Sequence, residues 1–160
     1  MRITKVPAAR LDEARSGRAR PARDTDRCAG RRVPASARRR RDANEALIRD
    51  WLDAFERRDV DTARALFATE GVLHMLPPSE MAGDYRGFDG LMERYRREEE
   101  AGGSSFRTRI HDVLASEGHA VVLFQLHGRR GGRERDWTQL AVYHIARGRI
   151  SEIWVHESPP

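Results

Sequence analysis

The first half of the folded part of the chain carries hydrophobic residues at helical spacing. Apolar positions over 43–57 predict a first helix whose inward face holds Leu47, Ile48, Trp51, Leu52 and Phe55. Asp42 followed by Glu45 predicts a cap just before this helix. Asp59 predicts the cap of a short second helix that ends near Thr69. A third apolar face, with Phe88, Leu91, Met92 and Tyr95, predicts a third helix that ends at residue 100.

Strand patterns fill the rest of the chain. Val72–Leu76 predicts a first strand, which Pro77 and Pro78 end because proline cannot donate to a sheet ladder. Short turns, among them Gly131-Gly132, separate four further extended segments over 106–115, 120–129, 134–146 and 149–156. Three helices packed on one face of a curved antiparallel sheet make an α+β domain.

Charge divides the chain into a leader and a folded domain. Residues 1–42 carry a net charge of +9 and almost no large apolar residue, whereas residues 43–160 carry −4. A segment of the first kind cannot bury enough surface to offset its ordering entropy, so 1–42 is predicted to be a disordered basic leader. Three interpretations of this leader stay open: a nonfunctional extension, a basic arm that binds a polyanion, or a targeting peptide. We do not expect nucleic acid to bind the folded part, which is acidic.

Composition also bounds the cellular setting and the chemistry. The single cysteine, Cys28, allows no internal disulfide, and no apolar run is long enough to cross a membrane, so a cytoplasmic protein is predicted. The six histidines show no spacing typical of metal ligands, and no glycine-rich phosphate loop precedes a helix. We therefore expect neither a metal nor a cofactor.

Four motifs in order give the chain a resemblance to a known family. They are Ala65-Leu66-Phe67-Ala68-x-Glu70-Gly71-Val72, Tyr85 to Leu91, His111 to Ala115, and Tyr143-x-Ile145-x-x-Gly148-Arg149-Ile150. Together they resemble the SnoaL-like branch of the nuclear transport factor 2-like superfamily over about 43–157. The resemblance implies a conical barrel of curved sheet, a deep apolar cavity and a homodimer packed through the outer face of the sheet.

The same resemblance argues against one reaction. Ketosteroid isomerase-like members place a carboxylate base just before the proline that ends the first strand, and a second carboxylic acid on the penultimate strand. Leu76 and Ala141 stand at those two positions here. Neither side chain can carry a proton, so the steroid isomerase mechanism is not expected.

Strand alternation supplies the remaining candidates, because residues i and i+2 share a face. If Leu76 points inward, His74 does too, and a histidine side chain suits a general acid or base because imidazole gains or loses a proton near neutral pH. An inward Ala141 brings Gln139, Tyr143 and Trp137 with it. Gln139 and Tyr143 are then candidates for holding an oxygen atom. Ligand-contacting positions are predicted to be Trp51, Leu76, Tyr85, Trp137, Ala141 and Trp154.

These residues predict a pocket for a small, largely apolar molecule of polyketide, terpenoid or aromatic type. Any catalysis would be acid–base work on a carbonyl compound, with His74 as proton carrier. A noncatalytic binding or dimerisation module is the first alternative. Epoxide hydrolase-like chemistry is the second, since it needs converging Asp, Arg and Asp residues and the chain offers Asp112, Arg135 and Asp136.

Overall fold

A computed structural model describes residues 2–3, 33–100, 107–130 and 133–158. The helices are α1 (Ala35–Arg57), α2 (Val60–Leu66) and α3 (Gly87–Glu100). The strands are β1 (Arg2–Ile3), β2 (Phe67–Met75), β3 (Gly83–Arg86), β4 (Arg107–Ala115), β5 (His119–Arg130), β6 (Arg133–Ala146) and β7 (Arg149–Glu157). Most of the predicted leader, Cys28 and the Gly131-Gly132 turn lie outside the described residues.

The first helix begins earlier than predicted. It starts at Ala35, after Pro34, so the Asp42 cap is not used and Glu45 pairs instead with Arg49 on the next turn. Residues 35–42 contain no helix-breaking residue, and alanine and arginine are good helix formers, so the helix extends through them. Asn44 of α1 donates to the carbonyl oxygen of Ser116 at 2.9 Å, which attaches the helix to the turn between β4 and β5.

The second helix is capped as predicted. The carboxylate of Asp59 accepts hydrogen bonds from the backbone N–H of Thr62 at 3.0 Å and from its hydroxyl at 2.7 Å. Both bonds lower the pKa of Asp59, and the bond from the hydroxyl has the larger effect. The chain then passes directly into β2, which begins at Phe67 rather than at Val72.

The sheet is open and curved, and its described strands lie in the order β1-β4-β5-β6-β7-β2-β3. Neighbours from β4 to β7 are antiparallel, as the meander predicts, while β2 runs parallel to β7. The short strand β3, which pairs antiparallel with β2, was not predicted. The two edge strands of the described sheet, β1 and β3, do not meet, and the predicted α+β architecture of helices on a curved sheet is confirmed.

One face of the sheet packs against the helices and forms the core. Ile48 of α1, Leu91 of α3 and Ile150 of β7 are fully buried there, together with Val122 of β5. In the described strands, three irregularities of pairing interrupt the regular alternation, at Phe67/Val72, at Ile110/Asp112 and at His144/Ile145. None of the described helices is long and apolar enough to cross a membrane.

Candidate functional site

A cavity of about 80 Å³ lies between α1, α3 and the inner face of the sheet. Helix α1 contributes Trp51, Leu52 and Phe55 to its wall. The strands contribute the apolar side chains Leu73, Phe124, Leu126, Ala141, Ile153 and Val155. The remaining lining residues are Leu91, Arg94, Tyr95, Glu98, Glu99, Thr108, Gln139 and Tyr143. The cavity is thus mainly apolar, with a few polar groups, which is the usual constitution of a small-molecule site.

Two tyrosines are held in the neutral form at this cavity. Burial raises the pKa of Tyr143 far above its ordinary value, and the neighbouring Tyr95 raises it further. Burial likewise raises the pKa of Tyr95. The indole N–H of Trp51, which can only donate, acts in the opposite direction and lowers the pKa of Tyr143. Tyr143 therefore keeps its own proton available to donate.

An ion pair on α3 forms the charged part of the wall. Both terminal nitrogens of the Arg94 guanidinium donate to the carboxylate of Glu98, at 2.8 and 3.2 Å. The Arg94 side chain is only 4% exposed, and that of Glu98 is 21% exposed. A guanidinium this deeply buried needs its partner, since an isolated charge in the interior is costly.

Four of the predicted ligand or catalytic positions line the cavity. On β6, Gln139, Ala141 and Tyr143 face it, as the alternation predicts, and Trp51 reaches it from α1. Trp137 lies on the same face and is buried, but it lines an adjoining open groove of about 690 Å³, which shares Thr108 and Leu126 with the cavity. The structure brings Trp51, Gln139, Ala141 and Tyr143 together at one cavity, and the roles of these four residues stay predictions.

The prediction that His74 and Leu76 face the interior is wrong. Leu73 and Met75, the two neighbours of His74 on β2, belong to the buried core, so His74 lies on the outer face. Its ring stacks on Trp154 at 5.5 Å, and its Nδ1 lies 2.7 Å from a carboxylate oxygen of Asp84. Leu76 follows the end of the strand and is 38% exposed, so it gives no guide to the strand's facing.

Two further residues that were predicted to contact a ligand lie away from the cavity. Trp154 lies on the outer face, because the pairing irregularity beside His144 places both Ile150 and Ile153 of β7 inward. Tyr85 is half-buried on β3, where its hydroxyl donates to the carbonyl oxygen of Met81 at 2.9 Å. Neither residue lines the cavity.

The epoxide hydrolase-like set does not converge. Asp112, Arg135 and Asp136 are all exposed, and none lines the cavity. Asp136 lies 2.8 Å from the ring of His127, and the Asp112 carboxylate accepts from the adjacent N–H of Val113. In the described part of the chain, no group of three or more metal-binding side chains is arranged to hold an ion.

Three polar residues of the cavity wall were not predicted: Arg94, Glu98 and Thr108. The helical spacing contained the signal for two of them, because Arg94 and Glu98 continue the inward face of Leu91 at i+3 and i+7. Thr108 precedes the irregularity in β4, so its facing is clear only from the register that pairs it with the buried Leu126.

Comparison with known proteins agrees with this architecture. Residues 48–153 match the sequence profile of a family described as SnoaL-like domain. No curated protein matches the chain. Bal32a, from a soil-derived mobile gene cassette, has 24% sequence identity and a TM-score of 0.66, over 74% of this chain and 91% of its own.

Two other solved structures have titles that mention a molecule or an activity. TerC, co-crystallised with polyporic acid, is 13% identical with a TM-score of 0.62, over 72% of this chain and 92% of its own. A putative polyketide cyclase from Xanthomonas campestris is 17% identical with a TM-score of 0.56, over 72% of this chain and 90% of its own. At these identities the likeness concerns the fold alone.

Proposed function

Because this chain belongs to the SnoaL-like domain family, we propose that its interior cavity binds a small, mainly apolar molecule. The observation that carries the proposal is the cavity itself, which apolar side chains of α1, α3 and the sheet enclose around a few polar groups. An engineered cavity of about 150 Å³ with a similar apolar lining holds benzene. At about 80 Å³, this cavity suits a compact molecule or one end of a longer molecule.

Acid–base catalysis of cyclase type is the second candidate. Glu98 and the neutral phenol of Tyr143 line the same cavity, so one can accept a proton while the other donates a hydrogen bond. Glu98 would remove a proton from the carbon beside a carbonyl group, and Tyr143 would donate to the resulting enolate oxygen. The putative polyketide cyclase among the structural neighbours supports this reaction class. His74 is not part of the proposal, since its ring is on the other face of the sheet.

We also propose that two copies pair through the outer face of the sheet. Leu114 is 62% exposed and Leu140 is 39% exposed on that face, and Trp154 lies there too. Covering such side chains favours association by the hydrophobic effect. Sedimentation of the wild type as a dimer and of Leu140→Glu as a monomer would support the pairing; a monomeric wild type would contradict it.

A cytoplasmic location remains a proposal drawn from cysteine usage.

Filling the cavity tests the binding proposal. Ala141 is 2% exposed and lines the cavity, so Ala141→Leu places a larger side chain in the space that a ligand would take. A library of small apolar fragments is screened by ligand-observed NMR against the wild type, Ala141→Leu, Ala141→Val and the outer-face control Leu140→Ala. We expect hits with the wild type and the control, fewer with valine and none with leucine. Equal binding by Ala141→Leu, with its fold verified by circular dichroism, would refute the proposal.

A further inference from the structure

Among the residues that the structure describes, two buried hydrogen-bond donors in the cavity wall have no protein partner. They are the Nε–H of Arg94 and the hydroxyl of Thr108, whose side chains come from α3 and β4 respectively. Arg94 is 4% exposed and Thr108 is 3% exposed, so bulk solvent does not compensate either group. An unsatisfied buried polar group costs about 1–3 kcal/mol. Such groups in a cavity wall mark a place where a ligand atom can accept hydrogen bonds.

The charge beside these donors is already balanced. Glu98 accepts two hydrogen bonds from Arg94, so the guanidinium offers its remaining Nε–H without an uncompensated positive charge. A carboxylate ligand at this position would meet the like charge of Glu98 and would lose its own hydration. A neutral carbonyl oxygen accepts two hydrogen bonds at a smaller desolvation cost.

We propose that the cavity selects a neutral carbonyl compound over the matching carboxylate and hydrocarbon, with Arg94 and Thr108 donating to the carbonyl oxygen. The inference rests on the proposed binding function, since it names the class of molecule that the same cavity binds, and it assigns to Arg94 and Thr108 the contact that the catalytic candidate gives to Tyr143. The apolar walls hold the carbon skeleton, and the two donors set its orientation.

Three probes of similar size separate the possibilities: cyclopentanone, its hydrocarbon isostere methylenecyclopentane, and cyclobutanecarboxylate. Binding is followed by the indole N–H signals in two-dimensional NMR, because Trp51 lines the cavity whereas Trp154 lies on the outer face. We expect each binding probe to move the Trp51 signal and leave that of Trp154 in place. Cyclopentanone should bind about 10-fold more tightly than either other probe, a ratio equal to about 1.4 kcal/mol.

Thr108→Val is the matched variant, since valine has nearly the shape of threonine and lacks its hydroxyl. It should weaken cyclopentanone binding about 5- to 10-fold and leave methylenecyclopentane binding unchanged. Thr108→Ser, which keeps the hydroxyl, should retain the preference for the ketone. Equal affinity for ketone and hydrocarbon, or tighter binding of the carboxylate, would overturn the inference while leaving the proposed binding function intact. If no probe moves the Trp51 signal, the binding function itself fails, and the selection fails with it.

Discussion

Replacing Thr108 with valine is predicted to make the protein more stable. The side chain is 3% exposed, and its hydroxyl has no partner within the described residues. An unsatisfied buried hydroxyl costs about 1–3 kcal/mol, which the substitution removes at almost constant shape. Valine also suits a strand, because a β-branched side chain packs well on a pleated surface. We expect the free energy of unfolding to rise by about 1–2 kcal/mol.

Urea denaturation followed by circular dichroism measures this change through the midpoint at constant slope. The matched control is Thr138→Val on β6, where threonine is exposed, and its effect should stay within about 0.5 kcal/mol. A loss of stability in Thr108→Val would show that the hydroxyl makes a hydrogen bond in the native protein. That result would remove the reasoning that assigns Thr108 to a ligand. The predicted gain in stability would instead show that threonine at position 108 stabilises the fold less than valine, which has nearly the same shape.

Three other changes test separate parts of the structure. Gly71→Ala should destabilise by about 1–3 kcal/mol in urea denaturation, because a Cβ would lie 2.5 Å from the ring of Phe67; an unchanged midpoint would contradict this packing. Glu98→Gln should cost about 3 kcal/mol, since it leaves the buried Arg94 guanidinium without a charged partner; a neutral effect would show that Arg94 is solvated. Tyr143 has a raised pKa, so its neutral form contributes stability below its ordinary pKa of about 10, and this contribution falls as the pH rises above that value. Unfolding measured from pH 8 to 11 should therefore show a steeper alkaline loss for the wild type than for Tyr143→Phe, and parallel curves would refute the assignment.

The helices and the antiparallel meander could be predicted from the sequence, because their hydrophobic patterns are long and regular. The four extended segments appear within one residue of their predicted bounds, and the three predicted helices are present, although the first begins eight residues earlier than predicted. The inward face of β6 was also predictable, since Gln139, Ala141 and Tyr143 lie on one uninterrupted stretch of alternation. The parallel pairing of β2 with β7 was not, because nothing local in either strand specifies its neighbour.

The errors arose where alternation was counted from an unsuitable reference. His74 was assigned inward from Leu76, an apolar residue that lies past the end of the strand. A one-residue shift in strand phase moves every side chain to the opposite face, so a single wrong reference residue displaced the main catalytic candidate. Trp154 was misplaced by the irregular pairing between β6 and β7, which sequence patterns do not reveal. Arg94 was missed because charged residues on helices are usually solvated.

Contacts between a bound probe and assigned protein protons test the central claim most directly. With cyclopentanone bound, intermolecular nuclear Overhauser effects should connect its methylene protons to the methyl groups of Leu73, Ala141 and Thr108, which line the cavity. The rings of His74 and Trp154, on the opposite face of the sheet, should show none. Effects to those two rings without any to Leu73 would place the ligand outside the cavity and contradict the account.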